Sequence, residues 1–257
     1  MPEAYPPPCQ PDRARVLILG GTADARSLAQ AMTAAFPRWQ LVMSLAGRTR
    51  APMTQGVPTR VGGFDGASGL ARWLIQHDIT LLIVATHPFA ARMPVNAAQA
   101  ARLAEVPVVR LLRPPWQPEA DDNWQQCQTL QEAPALLGSA SHTVFLPIGR
   151  QSLSPFAEAP HHHYVVRSIE PLPDTLRPPR VTSLRARGPF TMANEMALMR
   201  RMRITRMVCK NSGAPSMAAK LRAARALSIP VIMVAPPAVD AGMVTFDTLE
   251  ALIGALH

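Results

Sequence analysis

Two glycines and a threonine, Gly20–Thr22, stand between an apolar run, VLIL, and a segment with helical spacing, ADARSLAQAM. A strand that turns directly into a helix leaves the first helical N–H groups unpaired and pointing outward. Together with the helix dipole they attract an anion such as a phosphate. Gly20 and Gly21 let the backbone approach a ligand with no Cβ in the way. Thr22 either caps the helix or offers its hydroxyl to a phosphate oxygen, and Ala23 opens the helix. The string departs from the full dinucleotide fingerprint: with Gly20 as its first glycine, Thr22 takes the second place and Ala25 the third. A plain N-capped turn accounts for the same residues.

The end of the second strand adds to this. Dinucleotide sites usually place an acidic residue about 20 residues on, where it bonds the ribose 2′-hydroxyl. Here LVMSLAGRTRAPM supplies Ser44, Gly47, Arg48, Thr49 and Arg50 and no carboxylate. A hydroxyl and arginines suit a 2′-phosphate, so the pattern favours NADPH over NADH. One charge-assisted hydrogen bond, ~1.5–3 kcal/mol, corresponds to about ten- to a hundredfold in affinity. The alternative is that Arg48 and Arg50 are solvated loop residues. Two further turns follow strands: VGGFDGASG, with Gly62, Gly63 and Phe64, and ATHPFAARM, with Thr86, His87 and Pro88. Ligands of open parallel sheets lie outside the carboxyl ends of the strands, so these loops converge on one cleft. His87 either acts on a proton or substrate there or shapes the loop before Pro88.

The elements that position these residues alternate. Strands are expected at 15–19, 40–45, 80–85 and 108–111, a short extended stretch near 57–64, and helices at 23–36, 65–77 and 94–104. Uninterrupted apolar strands between helices imply a parallel sheet covered on both faces. A helix is expected from about 123 to 137, then strands at 142–149, 161–169 and 180–186. A helix at 191–202, a strand at 206–209, a helix at 215–227, a strand at 230–234 and a helix at 246–256 complete the reading. The fold class is α/β: two Rossmann-like lobes, each a mostly parallel sheet flanked by helices, with a cleft between them. Residues 1–14 form a Pro-rich lead, 15–139 the cofactor-binding domain and 140–257 a second, smaller α/β domain.

The chain has 257 residues, 26 basic and 17 acidic side chains and a formal charge of +9. That attracts polyanions, but the positive residues are nearly all arginines spread singly, without zinc-finger spacing or base-stacking aromatics, so nucleic acid is not the expected partner. A small anionic ligand accounts for the charge. No apolar stretch reaches the roughly 18 residues that span a bilayer, and the N-terminus lacks an apolar signal region; membrane association and secretion are not expected. Three scattered cysteines, Cys9, Cys127 and Cys209, fit a reducing cytoplasm. In HHHY, at 161–164, consecutive strand residues point to opposite faces and cannot close one metal site, so no metal is expected.

In order along the chain, ILGGTADAR, SLAGRT, VGGFDGASGLARWL, ATHPFAARM, VPVVRLLRPPW, GRQ, ARGPF and CKNSGAPSMAAKLRAA resemble the precorrin-6A reductases of cobalamin biosynthesis, over roughly Val16 to Val234. The resemblance implies NADPH-dependent reduction of a carbon–carbon double bond in a polyanionic tetrapyrrole to give precorrin-6B, with hand-over of substrate between neighbouring pathway enzymes. It places Gly20, Gly21, Thr22, Ala23, Ser44, Gly47, Arg48, Thr49, Gly62, Gly63, Phe64, Thr86, His87 and Pro88 at the cofactor. Phe89, Arg92, Arg150, Arg187, Lys210, Asn211, Ser212 and Gly213 fall to the substrate. Lys210 and His87 are the two candidates for a proton donor, in a reaction that need not have an essential one. Ser216 departs from the family's usual threonine. A sister group acts on the cobalt-containing substrate, and that alternative stays open, as does a non-catalytic NADP(H)-binding regulator. A short-chain dehydrogenase would need Tyr-x-x-x-Lys, but four residues after Tyr164 stands Ser168. The acidic, glycine-dense loop of a methyltransferase is absent as well.

Overall fold

The structure is a computed structural model that describes residues 13–47, 55–172, 178–238 and 241–257. The Pro-rich lead, apart from Arg13 and Ala14, and the Arg48, Thr49 and Arg50 segment lie outside the described residues.

In chain order the first elements are β1 (Arg15–Leu19), α1 (Ala23–Ala35), β2 (Gln40–Leu45), β3 (Thr59–Val61), α2 (Gly66–Gln76), β4 (Leu81–Val84), α3 (Arg92–Ala104) and β5 (Val108–Leu111). There follow β6 (Trp124–Cys127), α4 (Ala133–Leu137), β7 (Thr143–Leu146), β8 (His163–Ser168), β9 (Val181–Arg185), α5 (Met192–Arg201), β10 (Arg206–Lys210), α6 (Ala219–Ala226) and β11 (Val231–Val234). The chain ends in β12 (Val244–Phe246) and α7 (Leu249–Leu256).

Two compact units result. The first comprises residues up to Pro114 together with Ala238–His257; the second is Pro115–Pro237. Each contains a sheet of six strands, ordered β12-β5-β4-β1-β2-β3 and β6-β11-β10-β7-β8-β9, and every pairing is parallel. The α/β class with mostly parallel sheets is therefore observed. The boundary expected at 139/140 is not: the chain leaves the first unit after Pro114 and returns to it after Pro237.

Three local readings differ from expectation, and the first two account for that correction. Trp124–Cys127 is an edge strand paired with β11, not the start of a helix reaching Leu137. Its Gln125 and Gln126 are exposed, which gives it the polar look of a helix surface. Phe246 ends a three-residue strand on β5 and does not begin the last helix. α7 then returns Leu252 and Leu256 to the first core, beside Leu28 and Met32 of α1. In the helix expected at 215–227, Pro215–Met217 is a 3₁₀ turn ahead of α6.

Strand geometry explains the first core. Successive side chains of β1 point to opposite faces, so Val16 and Ile18 join the α1 and α7 side while Leu17 and Leu19 join the α2 and α3 side. Both faces are covered, which is why the strand reads as continuously apolar. α1 buries Ala25, Leu28, Ala29 and Met32, the i, i+3, i+4, i+7 stripe of a helix on a sheet.

Candidate functional site

In the first sheet the strand order reverses between β1 and β4, and in the second between β7 and β10. In open parallel sheets ligands bind at such a switch point, which lies here at the carboxyl ends of β1 and β4 in the first unit and of β7 and β10 in the second. Of the residues singled out from sequence, Gly20–Thr22 and Thr86–Pro88 follow β1 and β4, and Arg150 and Lys210–Gly213 lie after β7 and at the end of β10, while Gly62–Phe64 and Arg187 follow the outer strands β3 and β9.

At the first switch point Gly20 donates its N–H to the Ser44 carbonyl at 3.0 Å. A Cβ on Gly20 would run into Met43 Sδ, so this glycine answers to packing beneath the turn. Gly21 is different. Its φ is +111°, a backbone that favours glycine, and a Cβ there would meet nothing within 4 Å. The turn is thus open on the side where a ligand backbone would lie. Thr22 accepts the Ala25 N–H at 3.0 Å as N-cap of α1 and donates its hydroxyl to the Ala85 carbonyl at 3.0 Å. The hydroxyl proton is spent on tying β1 to the end of β4, so the cap, not phosphate donation, is the role the geometry supports. Ala23 is exposed at the helix start, and Asp24 in the same turn is ion-paired with Arg113.

Ser44 is buried at the end of β2, and its Oγ accepts from Arg60 Nη1 at 2.8 Å. Arg60 belongs to β3 and pairs in register with Ser44. Its guanidinium also donates to the carbonyls of Gly62, at 3.2 Å, and Gly63, at 2.9 Å. It lies over the Phe64 ring, 3.8 Å from the centroid. Gly62, Gly63 and Phe64 thus hold the guanidinium of Arg60, a residue not singled out from sequence. The signal was present as an arginine two residues before a Gly-Gly turn, but its value depends on the β2–β3 register. Burial lowers the Arg60 pKa. Gly47 ends the described part of its loop with φ +72°.

At the end of β4 the Thr86 hydroxyl is buried with no hydrogen-bond partner among the described residues. His87 is exposed, and its Nδ1 accepts the Phe89 N–H at 3.2 Å while its carbonyl accepts the Ala90 N–H at 2.8 Å. These bonds shape the turn around the buried Pro88. With Nδ1 as acceptor, the neutral ring holds its proton at Nε2. Arg92 is exposed at the start of α3.

At the second switch point Lys210 Nζ donates to Ser152 Oγ at 2.7 Å, joining the end of β10 to the 3₁₀ turn Arg150–Ser152 after β7. Arg150 Nη1 reaches the Pro171 carbonyl at 3.4 Å. Asn211 behaves as a clasp: its Oδ1 accepts the Trp116 N–H at 2.7 Å and its Nδ2 donates to the Trp116 carbonyl at 2.9 Å. Ser212 is buried, and Gly213 has φ +65°. Arg187 stands exposed beyond β9. A cavity of 310 Å³ along β9 and α5 includes Arg167, Arg185, Phe190 and Glu195 in its lining, none of them singled out from sequence. Arg167 and Glu195 form a buried ion pair at 2.7 Å, with Phe190 stacked on the guanidinium at 3.8 Å.

Among the described residues no helix is long and apolar enough to cross a membrane. The precorrin-6x reductase CbiJ/CobK family model matches residues 15–257. The precorrin-6A reductase of Rhodococcus erythropolis is 45% identical over 239 residues, 93% of this chain and 96% of that protein. A solved structure of CobK precorrin-6A reductase matches with a TM-score of 0.90 and 42% identity, over 95% of this chain and 96% of that one. The cobalt-precorrin-6A reductase of Priestia megaterium is 27% identical over 94% of this chain and 97% of its own. With two parallel sheets and a glycine turn at the first switch point, the chain belongs to the precorrin-6x reductase CbiJ/CobK family.

Proposed function

We propose that this reductase uses NADPH to reduce one carbon–carbon double bond of precorrin-6A, yielding precorrin-6B, in the cytoplasm. The observation that carries the cofactor reading is the first switch point. The open side of Gly21, the start of α1 and the Ser44–Arg60 corner together form a cradle for a phosphorylated dinucleotide. Identity of 45% to a precorrin-6A reductase, against 27% to a cobalt-precorrin-6A reductase, favours the metal-free substrate. The free, buried thiols of Cys127 and Cys209 accord with a reducing compartment.

The residues fit the cofactor in type and place. Unpaired N–H groups at the start of α1 would face a phosphate, and Arg60, held at Ser44 where β2 and β3 end, would present guanidinium N–H donors to it. When bound, NADPH supplies a hydride; the protein supplies binding, orientation and electrostatics. Thr22 fixes the turn by capping α1 and tying it to Ala85. In the second unit Arg150, Lys210 and Arg187 provide positive charge for the carboxylates of the macrocycle, and Asn211 holds the chain at Trp116. Addition of hydride must be balanced by one proton, and a protonated, conjugated macrocycle is already electrophilic. Orientation alone is worth roughly 7–11 kcal/mol, so no dedicated acid is required. Lys210 acts in binding, and His87 shapes its loop.

The test is NADPH consumption by purified protein with and without precorrin-6A. Loss of NADPH absorbance only when the macrocycle is present is expected. Loss without the macrocycle overturns the reading, and no loss with it overturns the reading in favour of a non-catalytic nucleotide-binding regulator.

A further inference from the structure

Among the described residues Arg60 has no ion-pair partner to neutralise its charge. Of the five guanidinium N–H donors, three are taken, by Ser44 Oγ and the carbonyls of Gly62 and Gly63. Among the described residues the Nε–H and one Nη2–H find no acceptor. Burial lowers its pKa, and no carboxylate of the described residues offsets that. Leaving a half-buried guanidinium without a counter-charge is costly unless an anion completes it.

Its place says which anion. Arg60 is in register with Ser44, whose carbonyl accepts the Gly20 N–H at 3.0 Å. Arg60 itself is on β3, two strands from β1, and its bond to Ser44 Oγ brings the guanidinium to the end of β2, next to the β1–α1 turn. In this topology the adenosine ribose meets the end of the second strand, and the charge there selects between a 2′-hydroxyl and a 2′-phosphate. The Phe64 ring at 3.8 Å and the three internal hydrogen bonds fix the guanidinium plane, so little side-chain entropy is lost on binding, and a planar fork suits phosphate better than an ammonium does.

We propose that Arg60, seated on Phe64 and tethered to Ser44, reads the cofactor's 2′-phosphate and sets the preference for NADPH over NADH. This rests on the dinucleotide reading above.

Calorimetric titration of wild type, Arg60→Met and Arg60→Lys with 2′,5′-ADP and with 5′-ADP tests it without turnover. The wild type should bind 2′,5′-ADP the more tightly. Arg60→Met should cut the ratio of the two affinities by about 10- to 100-fold, the worth of one to a few charge-assisted hydrogen bonds. Arg60→Lys keeps the charge but loses the fork and should fall between. Equal weakening of both ligands would show that Arg60 only braces the β3–α2 turn. An unchanged ratio in Arg60→Met, or, should that variant not fold, in Arg60→Lys, would equally overturn the proposal. A wild type that binds both ligands equally tightly overturns the role of Arg60 and leaves the dinucleotide site standing; one that binds neither removes both.

Discussion

Replacing Asn211 with alanine removes a clasp between residues 95 positions apart. Two hydrogen bonds go, Trp116 N–H to Oδ1 at 2.7 Å and Nδ2–H to the Trp116 carbonyl at 2.9 Å. Asn211 is 9% exposed and Trp116 packs against the second core, so water replaces the lost amide poorly. At a net ~1 kcal/mol per bond, rising when a buried group is left unpaired, the loss is about 2–3 kcal/mol. Trp116 lies two residues after the point where the chain leaves the first unit, and it precedes β6. The damage should therefore fall on the second unit's edge. For a chain of this size ~1 kcal/mol shifts Tm by roughly 2–4 °C, so Asn211→Ala should melt about 4–12 °C lower by calorimetry. Asn211→Asp keeps the acceptor and loses the donor, and should rescue little. The reasoning is refuted if Asn211→Ala melts with the wild type while its affinity for the macrocycle collapses. That result would make Asn211 a direct substrate contact.

Two other perturbations separate structure from binding. Thr22→Val removes both the N-cap and the bond to Ala85, and should cost about 1–3 kcal/mol in denaturant unfolding, whereas Thr22→Ser should retain most of the stability; equal stability of the two variants would contradict the cap. His162 is fully buried beside His161 and His142, and burial followed by those two neighbours lowers its pKa to about 4. Because the unfolded chain takes up its proton near pH 6.5 and the folded chain only near 4, stability should fall as pH drops through that window, by up to ~3 kcal/mol, and level off below it. His162→Gln should flatten that slope, and an unchanged slope would sink the assignment.

The first unit was largely legible because its strands are apolar on both faces and its helices carry regular stripes. Arg15–Leu19, Gln40–Leu45 and Val108–Leu111 fall where the sequence places them. The failures lie at sheet edges. Trp124–Cys127 and Val244–Phe246 are short, partly exposed strands whose identity comes from their partners β11 and β5, far away in sequence. Misreading both moved the domain boundary. The site shows the same division. The Gly20–Thr22 turn is local and could be read directly, while Arg60 acquires meaning through register with Ser44, and Asn211 through Trp116.

Transfer of hydride from NADPH to the macrocycle is the central claim, and isotope labelling tests it most directly. Purified protein is given precorrin-6A with NADPH dideuterated at the nicotinamide C4, in ordinary water, and the product is weighed by mass spectrometry. One deuterium on carbon and one solvent hydrogen should be added per macrocycle, with NADH a much poorer donor. A reduced product free of deuterium, or no reduction at all by protein that binds NADPH, would contradict the account.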